Sequence, residues 1–373
     1  MKGECVIIDY VRTSLCSVCG KLGSRNVSEL AQGTMEAVMQ RTKLAASQLD
    51  HVIFGHAHMD TNPYNLARTA WLLTRLDENV PGYTVNACGA SGLLALQRAY
   101  QLILTGNDLT ILCGGAESYT NAPYILHNAR YRMDLSRFPI VDSITEGELW
   151  TQPKPLDPHM LADSLAEQNG YDAEQIEALV SSERSRADAS LWSTNLVPVC
   201  WIDRKKREVR VEEDSPDIPQ HGFAAYSDGA AAMLVADAAR AEELQLKPLA
   251  KVIGFSIAAD APEKRWSSVL EAVRKLMLKY PSIHINNIAA VELVAESAAT
   301  MLAVENGLKD LGFAENTVNR SGSSLFYGVN EGADGVIAAG RCLLNLKRYG
   351  GRYGLVTAAV AGGQAIAMLM EIM

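Results

Sequence analysis

The chain has 373 residues, 48% of them hydrophobic and 21% charged, and a formal net charge of −9. That length suggests two domains or one large layered α/β unit, and the acidity argues against a nucleic-acid partner. Seven cysteines, odd in number and scattered, point to a reducing compartment, so a cytoplasmic location is expected.

The opening "ECVIIDYVRTS" (4–14) predicts a buried strand, with an apolar run too short for a signal peptide. "CSVCG" (16–20) is a C-x-x-C without a second pair at zinc spacing, so no metal site is expected. "NVSELAQGTMEAVMQRTKL" (26–44) predicts an amphipathic helix with Ser28 as its cap. "LDHVIFGHAH" (49–58) predicts a strand and "NPYNLARTAWLLTRL" (62–76) a helix. "GYTVNACG" (82–89) is a short strand delivered into a helix running from Gly89 to Thr105, and "LTILCGGAES" (109–118) is a further strand. Strands alternating with helices predict a parallel sheet covered on both faces.

The segment from 116 to 215 breaks the rhythm and predicts an inserted cap or loop region. Within it, "RFPIVDSITEGELWTQPKPLDPHM" (137–160) reads as loop. "LADSLAEQNGYDAEQIEALVSSERSRADASLW" (161–192) reads as helical. The basic run Arg204–Arg207 fits a solvated turn or a docking spot for an anionic carrier or nucleotide phosphate. "GFAAYSDGAAAMLVADAARAEELQL" (222–246) restores strand and helix. From "PLAKVIGFSIAAD" (248–260) the order of elements repeats, which suggests an internal duplication. No apolar run reaches about 18 residues, so no membrane span is expected.

Cys88 stands where a strand stops and a helix begins. A thiol at a helix N-terminus sees the positive end of the dipole, which favours the thiolate and a reactive nucleophile. The same position suits a small buried apolar residue.

"TVNACGASGLLALQRAYQLILTGNDLTILCGGAESYTNAPYIL" (84–126) resembles the nucleophile region of the thiolase family. Further parallels are "DYVRTS", "NLARTAWLL", "HMLADSLAEQ", "SDGAAAMLVAD", "NRSGSSLFYGVNEGADG" and "TAAVAGGQAIAML", so the resemblance covers nearly the whole chain. It implies an α/β thiolase-like fold of duplicated βαβαβαββ halves, five-layered as α-β-α-β-α, with the cap inserted. The halves are expected at 1–243 and 244–373. It also implies that Cys88 is acylated by a thioester of CoA or phosphopantetheine, the latter on an acyl carrier protein. No permanently bound cofactor is implied, and a dimer is.

The same comparison locates losses. The family's histidine falls on Val329, its second cysteine on Ala359, its active-site asparagine on Val294, and its pantetheine-side serine on Ala224. The backbone oxyanion hole is expected to survive, formed by the Cys88 amide and the turn at Ala361 and Gly362, with Gly89 and Gly92 allowing close approach. Glu296, Glu331 and Asp334 are the acidic candidates for the missing base. His159 and His127 are the histidines that the cap offers.

Three readings of function follow. In the first, Cys88 takes an acyl group and passes it to an amine, alcohol, thiol or acidic carbon. In the second, the chain is a non-catalytic or half-catalytic partner that forms a heterodimer with an intact subunit. In the third, it is an atypical carbon–carbon condensing enzyme with relocated acid–base residues.

Overall fold

Buried on both faces, the first strand shows how the protein is layered. In the computed structural model, which describes residues 3–59, 63–127, 129–130, 140–149 and 156–373, it is β1 (Cys5–Arg12). Then come β2 (Cys16–Ser17), α1 (Val27–Thr42), β3 (His51–Gly55), α2 (Leu66–Thr74), β4 (Gly82–Val85), α3 (Ser91–Thr105) and β5 (Thr110–Glu117). The inserted region holds β6 (Tyr124–Leu126), β7 (Ile140–Asp142), α4 (Ser143–Leu149), α5 (Pro158–Asn169), α6 (Ala173–Arg186), α7 (Ala189–Trp192), β8 (Val199–Ile202) and β9 (Glu208–Val211). It ends at β10 (Ser227–Asp237), followed by α8 (Ala238–Glu243) and β11 (Ala250–Ala259). The chain closes with α9 (Arg265–Lys279), β12 (Ile288–Val294), α10 (Ala298–Asp310), α11 (Ser324–Tyr327), α12 (Asp334–Tyr349), β13 (Tyr353–Val360) and β14 (Gln364–Ile372).

Among the described residues the main strands form one hydrogen-bonded path, β12-β13-β14-β11-β1-β10-β5-β3-β4. A short antiparallel pairing of β1 with β11 joins the halves, Ile7 opposite Ala250. Side-chain alternation splits β1 between two cores. Val6 and Ile8 pack with α1 and α2, beside Leu30, Met35 and Trp71. Cys5 and Ile7 face α3 and α12, beside Leu96 and Val336. On the far side of that helix pair lie Val356 and Met368 of β13 and β14, whose outer face meets Val273 and Met301 of α9 and α10. The order is α1/α2, sheet, α3/α12, sheet, α9/α10, the five layers expected.

The second half departs from the first at its third strand. Where β4 pairs in parallel with β3, the second half has a lone bridge between Val291 and Val318. The side chain of Asn319 replaces the missing ladder. Its Oδ1 accepts from Leu293 N at 2.9 Å and its Nδ2 donates to Leu293 O at 3.3 Å.

The sheet is mixed and not parallel as expected: β1–β10, β10–β5, β11–β14 and β13–β14 pair antiparallel, because β10, β11 and β14 join its parallel strands. Two local expectations also need correction. Asn26, not Ser28, caps α1, in a capping box with Glu29, while Ser28 is buried in the first turn. The stretch 137–160 is not all loop. Ile140–Asp142 pairs antiparallel with Tyr124–Leu126, and the Asp142 carboxylate accepts from Ile144 N as α4 begins. The rest of that reading, over 137–139 and 150–155, lies outside the described residues. No described helix is long and apolar enough to cross a membrane.

Candidate active site

The turn from β4 into α3 holds Cys88 in a left-handed conformation, φ +47°, which is uncommon outside glycine and costs energy unless its surroundings enforce it. The enforcement is visible. Cys88 N donates to Asn86 Oδ1 at 2.9 Å, while Asn86 Nδ2 donates to Ala57 O at 2.8 Å. Ser91, the first residue of α3, gives both its N–H and its hydroxyl to Cys88 O, at 2.9 and 2.6 Å. Ala87 N in turn donates to Ser91 Oγ at 3.0 Å. The turn is tied at both ends, and the thiol is left half-buried in the wall of a cavity of about 290 Å³.

Two expectations about this cysteine change. Its amide is already bonded to Asn86, so the turn does not present it unengaged as an oxyanion donor. Nor does the helix start leave a ready thiolate. Burial first, then the carboxylates of Glu331 and Glu296, push the thiol up to about 12.

Cys88, Gly89, Glu296, Val329, Glu331, Ala359 and Ala361 all line this cavity, as do Val294 and Asp334. Glu331 borders the nucleophile's turn: a Cβ placed on Gly89 would lie 3.7 Å from its Oε1. Its other oxygen, Oε2, is 2.7 Å from His58 Nε2. Glu296 is held by the nearly buried guanidinium of Arg265, so its charge is compensated within the wall. Asp334 is buried, and desolvation raises its carboxyl to about 7. Its Oδ2 accepts from Asn330 N at 3.0 Å, which fits a turn and helix-start role.

His127, His159 and Gly362 are not brought to the cavity wall. His127 is exposed and faces Glu146 at 3.3 Å. His159 is exposed on α5 and packs its ring 4.0 Å from that of Phe223, which itself lines the cavity. Ala224 is buried. Arg207 of the basic run is paired with Asp203 at 2.7 Å. Cys16 is buried, Cys19 is exposed, and both are free thiols. Among the described residues no group of three or more His, Cys, Asp or Glu is arranged to hold a metal ion.

His58, Arg265 and Asn86 were not singled out in the sequence, yet all three line the cavity. Behind them lies a buried pair, His56 Nδ1 with Glu117 Oε2 at 2.9 Å. Glu117 also accepts the N–H of Ala57 at 2.5 Å, which fixes the short loop that carries His58. The signal available was the spacing in "GHAHM", two histidines directly after a buried strand.

Residues 5–239 match the family model described as thiolase, N-terminal domain, and residues 246–372 the one described as thiolase, C-terminal domain. The chain is 26% identical over 402 residues to an acetyl-CoA acetyltransferase of Allochromatium vinosum, covering 100% of both chains. It is 30% identical over 410 residues to a beta-ketoadipyl-CoA thiolase of Pseudomonas aeruginosa, again over 100% of both. Among solved structures, the Bacillus anthracis acetyl-CoA acetyltransferase superposes with a TM-score of 0.93 at 25% identity, over 100% of this chain and 99% of that one.

Proposed function

The chain belongs to the thiolase family, and we propose on that premise that it is an acyltransferase in which Cys88 accepts an acyl group from a coenzyme A thioester and passes it to an acceptor. One observation carries the assignment to Cys88: its backbone is held left-handed, clamped by Asn86 and Ser91, with the residue lining a cavity. A residue that served only packing would not need that conformation. The relatives' names supply the donor class, acyl-CoA, and thioester chemistry at a cysteine needs no resident cofactor. An acyl carrier protein bearing the same phosphopantetheine arm is the second donor that we propose to test.

In this reading Glu331 serves acid–base chemistry. Glu296 shapes the wall through Arg265, and Ala361 of the turn lies against the acyl oxygen. Val329, Val294 and Ala359 give the cavity an apolar side where the resemblance implies histidine, asparagine and cysteine. The chain divides functionally near residue 243, and both halves line the cavity: Cys88 and His58 from the first, Glu331 and Ala361 from the second. A dimer is supported by the half-buried edge strand β4. A cytoplasmic location is supported by seven free cysteines.

The test is intact-protein mass spectrometry after incubation with a panel of acyl-CoA and acyl-carrier thioesters. A mass increase that maps to Cys88 and vanishes in Cys88→Ala is expected. An unmodified Cys88 across the panel overturns the reading, and a role as partner to an intact subunit takes its place.

A further inference from the structure

Acyl transfer through a cysteine has two halves, and the second raises a question that the wall of this cavity answers. Once Cys88 is acylated, an acceptor must lose a proton and the departing sulfur must gain one. Among the described residues, the ionisable side chains lining the cavity besides Cys88 are His58, Glu331, Glu296, Arg265, Asp334 and Tyr226. Glu296 is committed to Arg265, and the buried Asp334 carboxylate to the backbone of Asn330. Tyr226 is stacked on Tyr119, rings 4.3 Å apart. The remaining pair, His58 and Glu331, borders the turn of the nucleophile.

Both members of that pair are held from behind. The ring of His58 packs edge-on against Tyr119 at 4.9 Å and against Tyr226 at 6.4 Å. Its loop is pinned by Glu117 through Ala57. Glu331 rides on a turn seated against β5: a Cβ on Gly115 would fall 1.7 Å from Gly332 O. Glu331 N also donates to the Tyr119 hydroxyl at 3.3 Å. Such support from two elements is what a proton-transfer group needs to keep its geometry.

We propose that His58 and Glu331 form the proton-transfer pair for discharge of the acyl-Cys88 intermediate, and that the acceptor is a heteroatom nucleophile with an N–H, O–H or S–H bond and not a carbon acid. This rests on Cys88 being the acyl carrier. In the step, the heteroatom attacks the acyl carbon, the new C–N, C–O or C–S bond forms, and the bond to Cys88 Sγ breaks. The proton of the acceptor passes to the His58–Glu331 pair and from it to the departing sulfur, which leaves a neutral thiol and a neutral acyl product. A carbon acid would further need donors at its enolate oxygen. The lining positions where the resemblance implies the enolate-side groups hold Val294, Val329 and Ala359, which have no polar side-chain atom. A sulfur that holds its proton strongly in the resting state also requires one when it leaves, and the pair supplies it.

The experiment uses the full chain loaded with acetyl-CoA and then desalted. Discharge of acetyl-Cys88 is followed by mass spectrometry with N-acetylcysteamine or ethanolamine as heteroatom probe, and with acetyl-CoA as carbon probe. Wild type is expected to discharge to a heteroatom probe and to form no acetoacetyl-CoA. Glu331→Gln and His58→Gln are expected to slow discharge about 10²- to 10⁴-fold, so that acetyl-Cys88 accumulates and reports a folded site. The pH limb of the wild-type discharge rate is expected to flatten in Glu331→Gln and to return in Glu331→Asp. Acetoacetyl-CoA as the main product, or wild-type discharge rates in both Gln variants, overturns the inference alone. Absence of acetyl-Cys88 in wild type overturns the function reading, and this inference with it.

Discussion

His58 Nε2 and Glu331 Oε2 lie 2.7 Å apart although 273 positions separate them in the chain. One follows β3 in the first half and the other precedes α12 in the second, so the contact exists only because α3 and α12 pack as the central layer. The two half-chains meet there as a matched pair of short loops. Each loop is bonded to a residue at the end of β5 or just beyond it, Ala57 to Glu117 and Glu331 to Tyr119.

Burial, and after it the charge of Glu331, sets the behaviour of the thiol before any substrate arrives. Burial, then Glu331, then Glu296 raise the Cys88 thiol to about 12. Alkylation by iodoacetamide is therefore expected to be slow at pH 7 and to keep rising past pH 9 without a plateau. Glu331→Gln removes one negative neighbour and lowers the thiol pKa, so alkylation at pH 8 is expected to quicken by up to about tenfold, the equivalent of one pKa unit. Peptide mapping of the alkylated Cys88 over a pH series measures this, and identical rates in variant and wild type would contradict it.

Asn86 is expected to matter through geometry and not through charge. Its side chain alone joins the Cys88 amide to the Ala57 carbonyl. Asn86→Ala removes both bonds at a half-open turn, at a cost to stability of about 1 kcal/mol each or less. The loss in acylation rate is expected to be larger than that, about tenfold or more, because the left-handed backbone of Cys88 is no longer held. Thermal melting and the rate of acetyl-Cys88 formation, compared on the same preparation, separate the two effects.

Much of this could be read from the chain beforehand, and the exceptions share a cause. The strand-to-helix delivery of Cys88 is local: "GYTV" and "SGLLALQRAY" carry their own periodicities, and β4 and α3 follow them. The carboxylates of "NEGAD" were visible as a cluster, but only packing distinguishes them. Glu331 pairs with His58 at the cavity, while Asp334, the buried first residue of α12, is bonded to Asn330 N. The spacing in "GHAHM" could flag His58, but it meets Glu331 only across the two halves of the chain, so no spacing could mark its partner. Arg265 sits in "EKRWSS", which reads as a solvated charge run, yet it is 5% exposed because Glu296 of the next strand-to-helix turn faces it. His127 was attractive by residue type and His159 by its place in "HMLADSLAEQ", but both are exposed.

Close backbone approach at β5 makes a sharp mutational test of how the Glu331 turn is seated. A Cβ on Gly115 would meet Gly332 O at 1.7 Å and Gly332 C at 2.4 Å, so the turn must move if a methyl is added. Gly115→Ala is expected to destabilise the fold by about 1–3 kcal/mol through overpacking. It is also expected to slow discharge of acetyl-Cys88 more than its formation, since the displaced turn carries Glu331. Gly33, where an added Cβ would have nothing within 4 Å, is the control, and Gly33→Ala is expected to leave both rates unchanged. Equal effects of the two substitutions in denaturant unfolding would refute the assignment.

The buried pair behind the site gives a prediction with a defined sign. For His56, burial lowers the pKa, but the charge and hydrogen bond of Glu117 overcome it, and the net shift is upward. For Glu117, burial raises the pKa, but the charge and hydrogen bond of His56 with the Ala57 amide overcome it, and the net shift is downward. A histidine raised on folding contributes stability below its unfolded value near 6.5 and loses it as pH climbs through the folded value. A carboxylate lowered on folding contributes above its unfolded value near 4.5 and loses it as pH falls through the folded value. The pair therefore stabilises the fold fully between those two unfolded values, and its contribution declines on either side. Glu117→Gln leaves His56 buried without its counter-charge, so stability in that window is expected to fall by about 3–5 kcal/mol. The difference between wild type and variant is expected to shrink toward both acid and alkaline pH. Urea unfolding of both proteins from pH 4 to pH 9 measures the difference curve. A curve that is flat in pH would mean that His56 is neutral in the folded protein and that Glu117 acts only as acceptor for the Ala57 amide.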